Sequence, residues 1–244
     1  VKNYLSFGGG VNSVAMMLML LDQGVEFEAV FVNHGTDWPE TYEYVDMLQG
    51  WLKDNGHKQI TVLKPRVRTI DGRVFENLYD YYAYKKVFPM TMSRACTSRF
   101  KIRPIYKYVK IPCFMMIGFA KEEERRVSIN HERGVENRYP LIENEIDRHG
   151  CKEIIKKNQL PIPMKSGCYI CPFQPAYGFK QLRHKHPDLF CKATQLENNY
   201  IERRRREGKK DVHIKNNRRL KYVIEETQMQ IFEQDEYPPC QCGL

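Results

Sequence analysis

Apolar residues crowd into short blocks along the first half of this chain and take a sparser, helical spacing along the second. Residues 2 to 7, KNYLSF, and 26 to 33, EFEAVFVN, are short, rich in aromatic or β-branched residues and bounded by glycine or polar breakers, which predicts two buried strands. Between them, the methionine-rich run 13 to 22 predicts a helix. Residues 39 to 54 predict another, with Pro39 suited to a first turn that needs no N–H. KQITVLK (58 to 64) is a third predicted strand, and CFMMIGF (113 to 119) a fourth that follows the helical pattern TSRFKIRPIYKYV. Strands alternating with helices imply a mostly parallel sheet in a doubly wound α/β layer, here over residues 1 to 146. From Asp147 to the end, residues 147 to 244, the pattern becomes a helical, cysteine-bearing extension with an irregular insert, LPIPMKSGCYICPF.

Composition narrows this picture. The 244 residues are 42% hydrophobic, enough for a buried core. No apolar run approaches the roughly 18 to 20 residues that span a bilayer, and the first residues lack a signal-peptide core, so a cytoplasmic protein with no membrane partner is expected. The net charge of +9 gathers in RRRREGKK (203 to 210) and KNNRRLK (215 to 221). Such runs suit a polyanion, tRNA or DNA, or form a solvated helix face. Eight cysteines in a reducing compartment direct attention to ligand spacing rather than disulfide pairing.

Candidate chemistry begins at SFGGGVNS, residues 6 to 13. A strand that ends in glycines and opens a helix brings unhindered N–H groups and the positive end of a helix dipole to one place, a geometry suited to phosphate. The stretch resembles the pyrophosphate-binding PP-loop, SGGxDS, of the adenine nucleotide α-hydrolase superfamily, with Gly8, Gly9, Gly10, Asn12 and Ser13 on the motif and Ser6 at the strand end before it. Gly8 stands for the motif's first serine and Asn12 for its aspartate. If that aspartate organises Mg²⁺, the resemblance leaves the task to Asp37 or Glu40. Further along, VFVNHGTDWPETYEYV (30 to 45), RACTSRFKIRPI (94 to 105) and GFAKEEERR (118 to 126) resemble, in order, three segments of phosphoadenosine phosphosulfate (PAPS) reductases and their relatives. The resemblance implies an adenine nucleotide α-hydrolase-like fold that binds ATP or another adenine nucleotide, with Lys101 and Arg126 acting on phosphate and Glu123 placing ribose or metal. His34, at a predicted strand end, is a further nucleotide-facing candidate.

Cys168 and Cys171 form CYIC before Pro172, a turn that lets two thiolates converge on zinc or an iron–sulfur cluster, or act as a redox dithiol. Cys96 matches the place where iron–sulfur members of the reductase family carry ligands. That resemblance implies a 4Fe-4S cluster on Cys96, Cys168 and Cys171, with Cys242 as fourth ligand and Zn²⁺ as the alternative. The tail, CQCGL, resembles the reductase ending in part, so Cys240 is a candidate nucleophile or sulfur carrier.

Three functions follow from these features. An ATP pyrophosphatase-type enzyme would adenylate an oxygen of nucleic acid so that sulfur, from a donor such as a cysteine desulfurase, can replace it, as in DNA phosphorothioation. A thiol-dependent sulfonucleotide reductase would share the nucleotide site. A non-catalytic, cluster-bearing nucleic-acid binder would keep only the fold. The basic C-terminal region and the incomplete reductase tail favour the first.

Overall fold

The computed structural model describes residues 1–127, 134–215 and 218–226. Five parallel strands, β1 (Lys2–Phe7), β2 (Glu28–Val32), β3 (Thr61–Leu63), β6 (Cys113–Ile117) and β7 (Val135–Arg138), form one sheet in the order β3-β2-β1-β6-β7. A small antiparallel pair, β4 (Val67–Arg68) with β5 (Val74–Phe75), lies apart from it. Four of the sheet strands sit where apolar blocks predict them. The edge strand β7 reads VENR and carries no such block, because an edge strand meets solvent along much of its length.

Side chains alternate across the sheet as a two-residue repeat requires. Leu5, Phe7, Ala29, Phe31 and Met116 face one core with α1 (Val11–Asp22), α2 (Pro39–Asp54) and α7 (Arg148–Lys157). Tyr4, Val30, Val32, Met115 and Ile117 face the other with Ile105 of α5 (Arg103–Tyr108). Helix α1 is apolar nearly all round, since it is wedged between the sheet and α7. The predicted helix at 97 to 109 is interrupted: α4 (Ala95–Thr97) runs through a π-helical turn, Ser98–Ile102, before α5 begins. Pro104 supplies no N–H, so the hydrogen-bond register widens ahead of it and α5 restarts with the proline in its first turn.

A second, helical core unites α3 (Leu78–Lys85), α8 (Ala176–Lys185), α9 (Pro187–Arg206) and the start of α10 (Leu220–Glu226) with Phe100 and the Cys168–Ile170 turn; a short α6 (Pro140–Glu143) precedes α7. Tyr81 and Tyr82 pack inside this core, Tyr79 bonds Gln195 on α9, and Tyr84 bonds Asp71 near the hairpin. These tyrosines therefore join elements and take no part in lining the nucleotide-sized cavity described below.

One buried carboxylate ties β2 to its neighbours. Burial alone would raise the Glu28 pKa, but bonds from Lys2, Tyr108, Lys58 and Thr61 outweigh it and hold the group down at about 2. A depressed carboxylate contributes stability above its unfolded pKa, near 4.3, and loses it as pH falls through the folded value. Glu28→Gln is thus expected to lower Tm at pH 7 but to flatten the loss of Tm between about pH 4.5 and pH 2. An acid limb in the variant as steep as in wild type would remove Glu28 as its source.

Candidate active site

The chain winds outward from β1 through β2 to β3, then returns to β1's other side through β6. That reversal opens a crevice at the carboxyl ends of β1 and β6, where doubly wound sheets bind ligands. A cavity of about 400 Å³ occupies it, lined by the glycine turn, the start of α1, Gly118 and Phe119 after β6, and Lys165 to Gly167 of the irregular insert. The volume falls within the range of small-molecule sites.

Gly9 takes φ +69°, a left-handed conformation that lets the turn reverse tightly into α1. Ser13 holds that turn: its hydroxyl accepts from the Gly8 N–H at 3.3 Å and donates to the Gly10 carbonyl at 2.9 Å. No side chain caps α1. Its first-turn residues Val11, Asn12 and Ser13 line the cavity, so their amides and the helix dipole are directed at whatever sits there. Ser6, Gly8, Gly10, Asp37, Lys101, Glu123 and Arg126 line the same space.

Asn12 is the centre of a network that sequence reading could not assemble. Its amide donates to Glu123 Oε2 at 2.7 Å and its carbonyl accepts from Arg148 at 2.9 Å. Glu123, 5% exposed, also accepts from the Ala120 N–H and ion-pairs with Arg126, whose guanidinium lies 4.2 Å from the centre of the Phe119 ring. Asn12 thus bridges the Glu123 carboxylate and the Arg148 guanidinium. Arg148 and Lys165 also line the cavity and had no motif to mark them, and Glu122 joins them from within GFAKEEERR. Glu40, an alternative metal ligand on sequence grounds, points elsewhere, with both carboxylate oxygens 3.1 Å from His186.

Beside this cavity lies a smaller one, about 20 Å³, lined by His34, Cys96, Cys168, Cys171 and apolar neighbours; Thr97 and Lys101 line both. His34, wholly buried, sits 3.2 Å from Asp37 and 3.7 Å from the Cys168 sulfur, while Cys168 lies 3.8 Å from Asp37 and Lys101 4.0 Å from it. Burial pushes the His34 imidazole down to about 4; Asp37 opposes the shift and Lys101 adds to it.

The three cysteines expected to hold a cluster are thus gathered around one cavity. Cys96, Cys168 and Cys171 line one wall system together with His34, so a thiol-rich pocket adjoins the larger cavity. Cys240 and Cys242 lie outside the described residues. Cys113 and Cys151 are core residues; burial pushes the Cys151 thiol up to about 12. Cys191 is exposed.

The phosphoadenosine phosphosulfate reductase domain model matches residues 2–130, more than half of the chain. The chain belongs to this family. Among curated proteins none matches the chain. Among solved structures it is similar to a phosphoadenylyl-sulfate (PAPS) reductase from Candida auris in a phosphate complex, with 14% identity and a TM-score of 0.48 over 67% of this chain and 75% of that one. The PAPS reductase family match begins at β1 and extends past the 3-10 turn Lys121–Arg126, and so includes the glycine turn, His34, Asp37, Cys96, Lys101, Glu123 and Arg126. Arg148, Lys165 and Cys168 lie beyond it.

Proposed function

We propose that this PAPS reductase-family protein is an adenylating ATP pyrophosphatase that activates an oxygen of nucleic acid for replacement by sulfur. The observation that carries this reading is the cavity itself: uncapped α1 amides and four cations, Lys101, Arg126, Arg148 and Lys165, surround a space large enough for a nucleotide, beside a thiol-lined pocket. An acceptor oxygen attacks the α-phosphorus of ATP, the bond to the β-phosphate breaks, and pyrophosphate leaves toward the loop. Lys101 and Arg126 neutralise charge building on the phosphates, and α1 amides hold the departing pyrophosphate. A sulfur nucleophile then displaces AMP, a far better leaving group than hydroxide. Phe7, Phe31 and Phe119 supply apolar and aromatic surface suited to adenine.

Mg²⁺ would neutralise the polyphosphate. It takes oxygen ligands and keeps much of its water, so Glu122 and Glu123 at the cavity wall suit it better than Asp37, whose near neighbours are a nitrogen and a sulfur. ATP and Mg²⁺, with tRNA or DNA and a sulfide donor, are expected to yield AMP, pyrophosphate and a thiolated acceptor. Sulfite release from PAPS with no ATP cleavage would overturn the reading in favour of a reductase.

The acceptor would engage the basic run at the end of α9. There Arg203 pairs with Glu207, Arg204 donates to the Lys210 carbonyl, Arg205 pairs with Asp211 and Arg206 with Glu202. Exposed pairs of this kind contribute about 0 to 1 kcal/mol, so exchanging a carboxylate for a backbone phosphate costs little. Changing Arg203 to Arg206 to glutamine is expected to reduce the slope of log affinity against log salt by about 0.7 to 0.9 per lost contact, with ATP affinity unchanged. An unaltered slope would make the run a solvated helix end.

A further inference from the structure

We propose that His34, Asp37 and Cys168 form a mononuclear site for a zinc-class divalent metal ion at the junction of the two cavities. Among the described residues, these three alone bring histidine, carboxylate and thiol ligand atoms within 4.8 Å of one another, and all three are buried. A tetrahedral zinc ion with its usual bond lengths sets nitrogen, oxygen and sulfur ligands roughly 3.4 to 3.6 Å apart. The separations here, 3.2 Å from His34 Nε2 to Asp37 Oδ2, 3.7 Å from His34 Nε2 to Cys168 Sγ and 3.8 Å from Cys168 Sγ to Asp37 Oδ1, approach that pattern with either carboxylate oxygen turned to the ion. A mixed nitrogen, oxygen and sulfur donor set suits zinc and its neighbours rather than Mg²⁺.

The arrangement is built, not incidental. Asp37 and Cys168 are 131 residues apart, yet an antiparallel bridge joins them, closed by the Trp38 N–H to the Gly167 carbonyl at 3.1 Å and the Tyr169 N–H to the Thr36 carbonyl at 2.9 Å. Thr36, fully buried, stands 2.8 Å from His34 Nδ1, so its hydroxyl can accept the Nδ1 proton and leave the Nε2 lone pair directed at Asp37 and Cys168. Asp37 lines the larger cavity, His34 and Cys168 the smaller, and Lys101 both. Three protein ligands with a fourth position left to solvent or substrate is the pattern of a catalytic zinc. Lys101, partly exposed, lies 4.0 Å from Asp37 on the rim shared by the two cavities. Binding converts the Cys168 thiol to thiolate and releases one proton; no electron is transferred.

The site stands whether the nucleotide is ATP or a sulfonucleotide, and its test is separate from activity. Full-length protein, reduced and freed of metal anaerobically, is titrated with Co²⁺ and with Zn²⁺. One equivalent should bind, with a thiolate-to-cobalt absorption band and one proton released per ion. Cys168→Ser, His34→Ala and Asp37→Asn should each weaken binding more than about 100-fold, and Thr36→Val, which removes only the orienting hydroxyl, about 10- to 100-fold. Cys96→Ser and Cys171→Ser should leave binding intact. Circular dichroism and thermal unfolding on every variant show that each is folded. Failure of folded wild-type protein to bind one ion overturns the site, as does binding that ignores His34 and Asp37 but needs Cys96 and Cys171. Stoichiometric uptake of four iron and four sulfide on the cysteines would overturn it too.

Discussion

Replacing Gly9 with valine is expected to abolish adenine-nucleotide binding while leaving the chain folded. At φ +69° any residue with a Cβ is strained, by about 1 to 2 kcal/mol, and a β-branched one by more. The new Cβ would also stand 2.9 Å from Thr41 Cγ2 on α2, closer than side-chain carbons approach. Both effects push the turn away from the Ser13 hydroxyl that pins it, so the amides at the start of α1 lose their common target. Affinity for ATP should drop by more than about 100-fold, since a misplacement of about an ångström is enough to cost that much at a preorganised site. Gly24→Val is the matched control. Gly24 has a similar φ of +67° but open space around its Cβ, so the variant carries the backbone strain without the clash or the site. Calorimetric titration with ATP, paired with thermal unfolding, separates the two. Wild-type affinity in folded Gly9→Val protein would remove the glycine turn from the nucleotide site.

Arg126→Met is expected to destabilise the protein by about 3 kcal/mol or more. Glu123 is 5% exposed, and removing the partner of a buried charge leaves it uncompensated, which costs about 3 to 5 kcal/mol. The double variant Glu123→Gln with Arg126→Met removes both charges and should recover most of that loss, since the glutamine can still accept the Asn12 amide and the Ala120 N–H. Urea unfolding of the wild type, both single variants and the double variant closes a thermodynamic cycle. A double variant no more stable than Arg126→Met alone would show that Arg126 acts through its packing on Phe119 instead of its charge. In either outcome nucleotide affinity should fall in the Arg126→Met variant, because a cation at the cavity wall has been lost.

The parts of the fold that could be read from the chain are those governed by near neighbours. Buried strands announce themselves through apolar blocks: Lys2–Phe7 and the helix Pro39–Asp54 fall on the residues that periodicity marks. The glycine turn was legible for the same reason, since a reversal between a strand and a helix needs a residue free to adopt positive φ. Edge strand β7 and the hairpin β4–β5 were not legible, being polar or two residues long. The role of α7 was hidden as well. Its apolar residues Cys151 and Ile155 are few, and only their contact with α1 shows that this helix, which follows residue 146, covers the sheet.

For the candidate site the division has a physical cause. Residue types in the order of the family motifs marked the glycine turn, Lys101, Glu123 and Arg126 as candidates, because a strand–turn–helix junction and the charges beside it are coded in short, contiguous stretches. Which groups meet was decided by the tertiary structure alone. Asn12 finds Glu123 and Arg148, 111 and 136 residues away, because the loop after β6 and the start of α7 converge on the beginning of α1. Cys168 turns toward His34 and Asp37 because a bridge between two distant loops carries it there. Hydrogen bonds and metal ligation act over about 4 Å in space with no regard for separation along the chain, so local pattern cannot report them. Sequence marked the residues able to do chemistry; packing around β1 selected which of them work together.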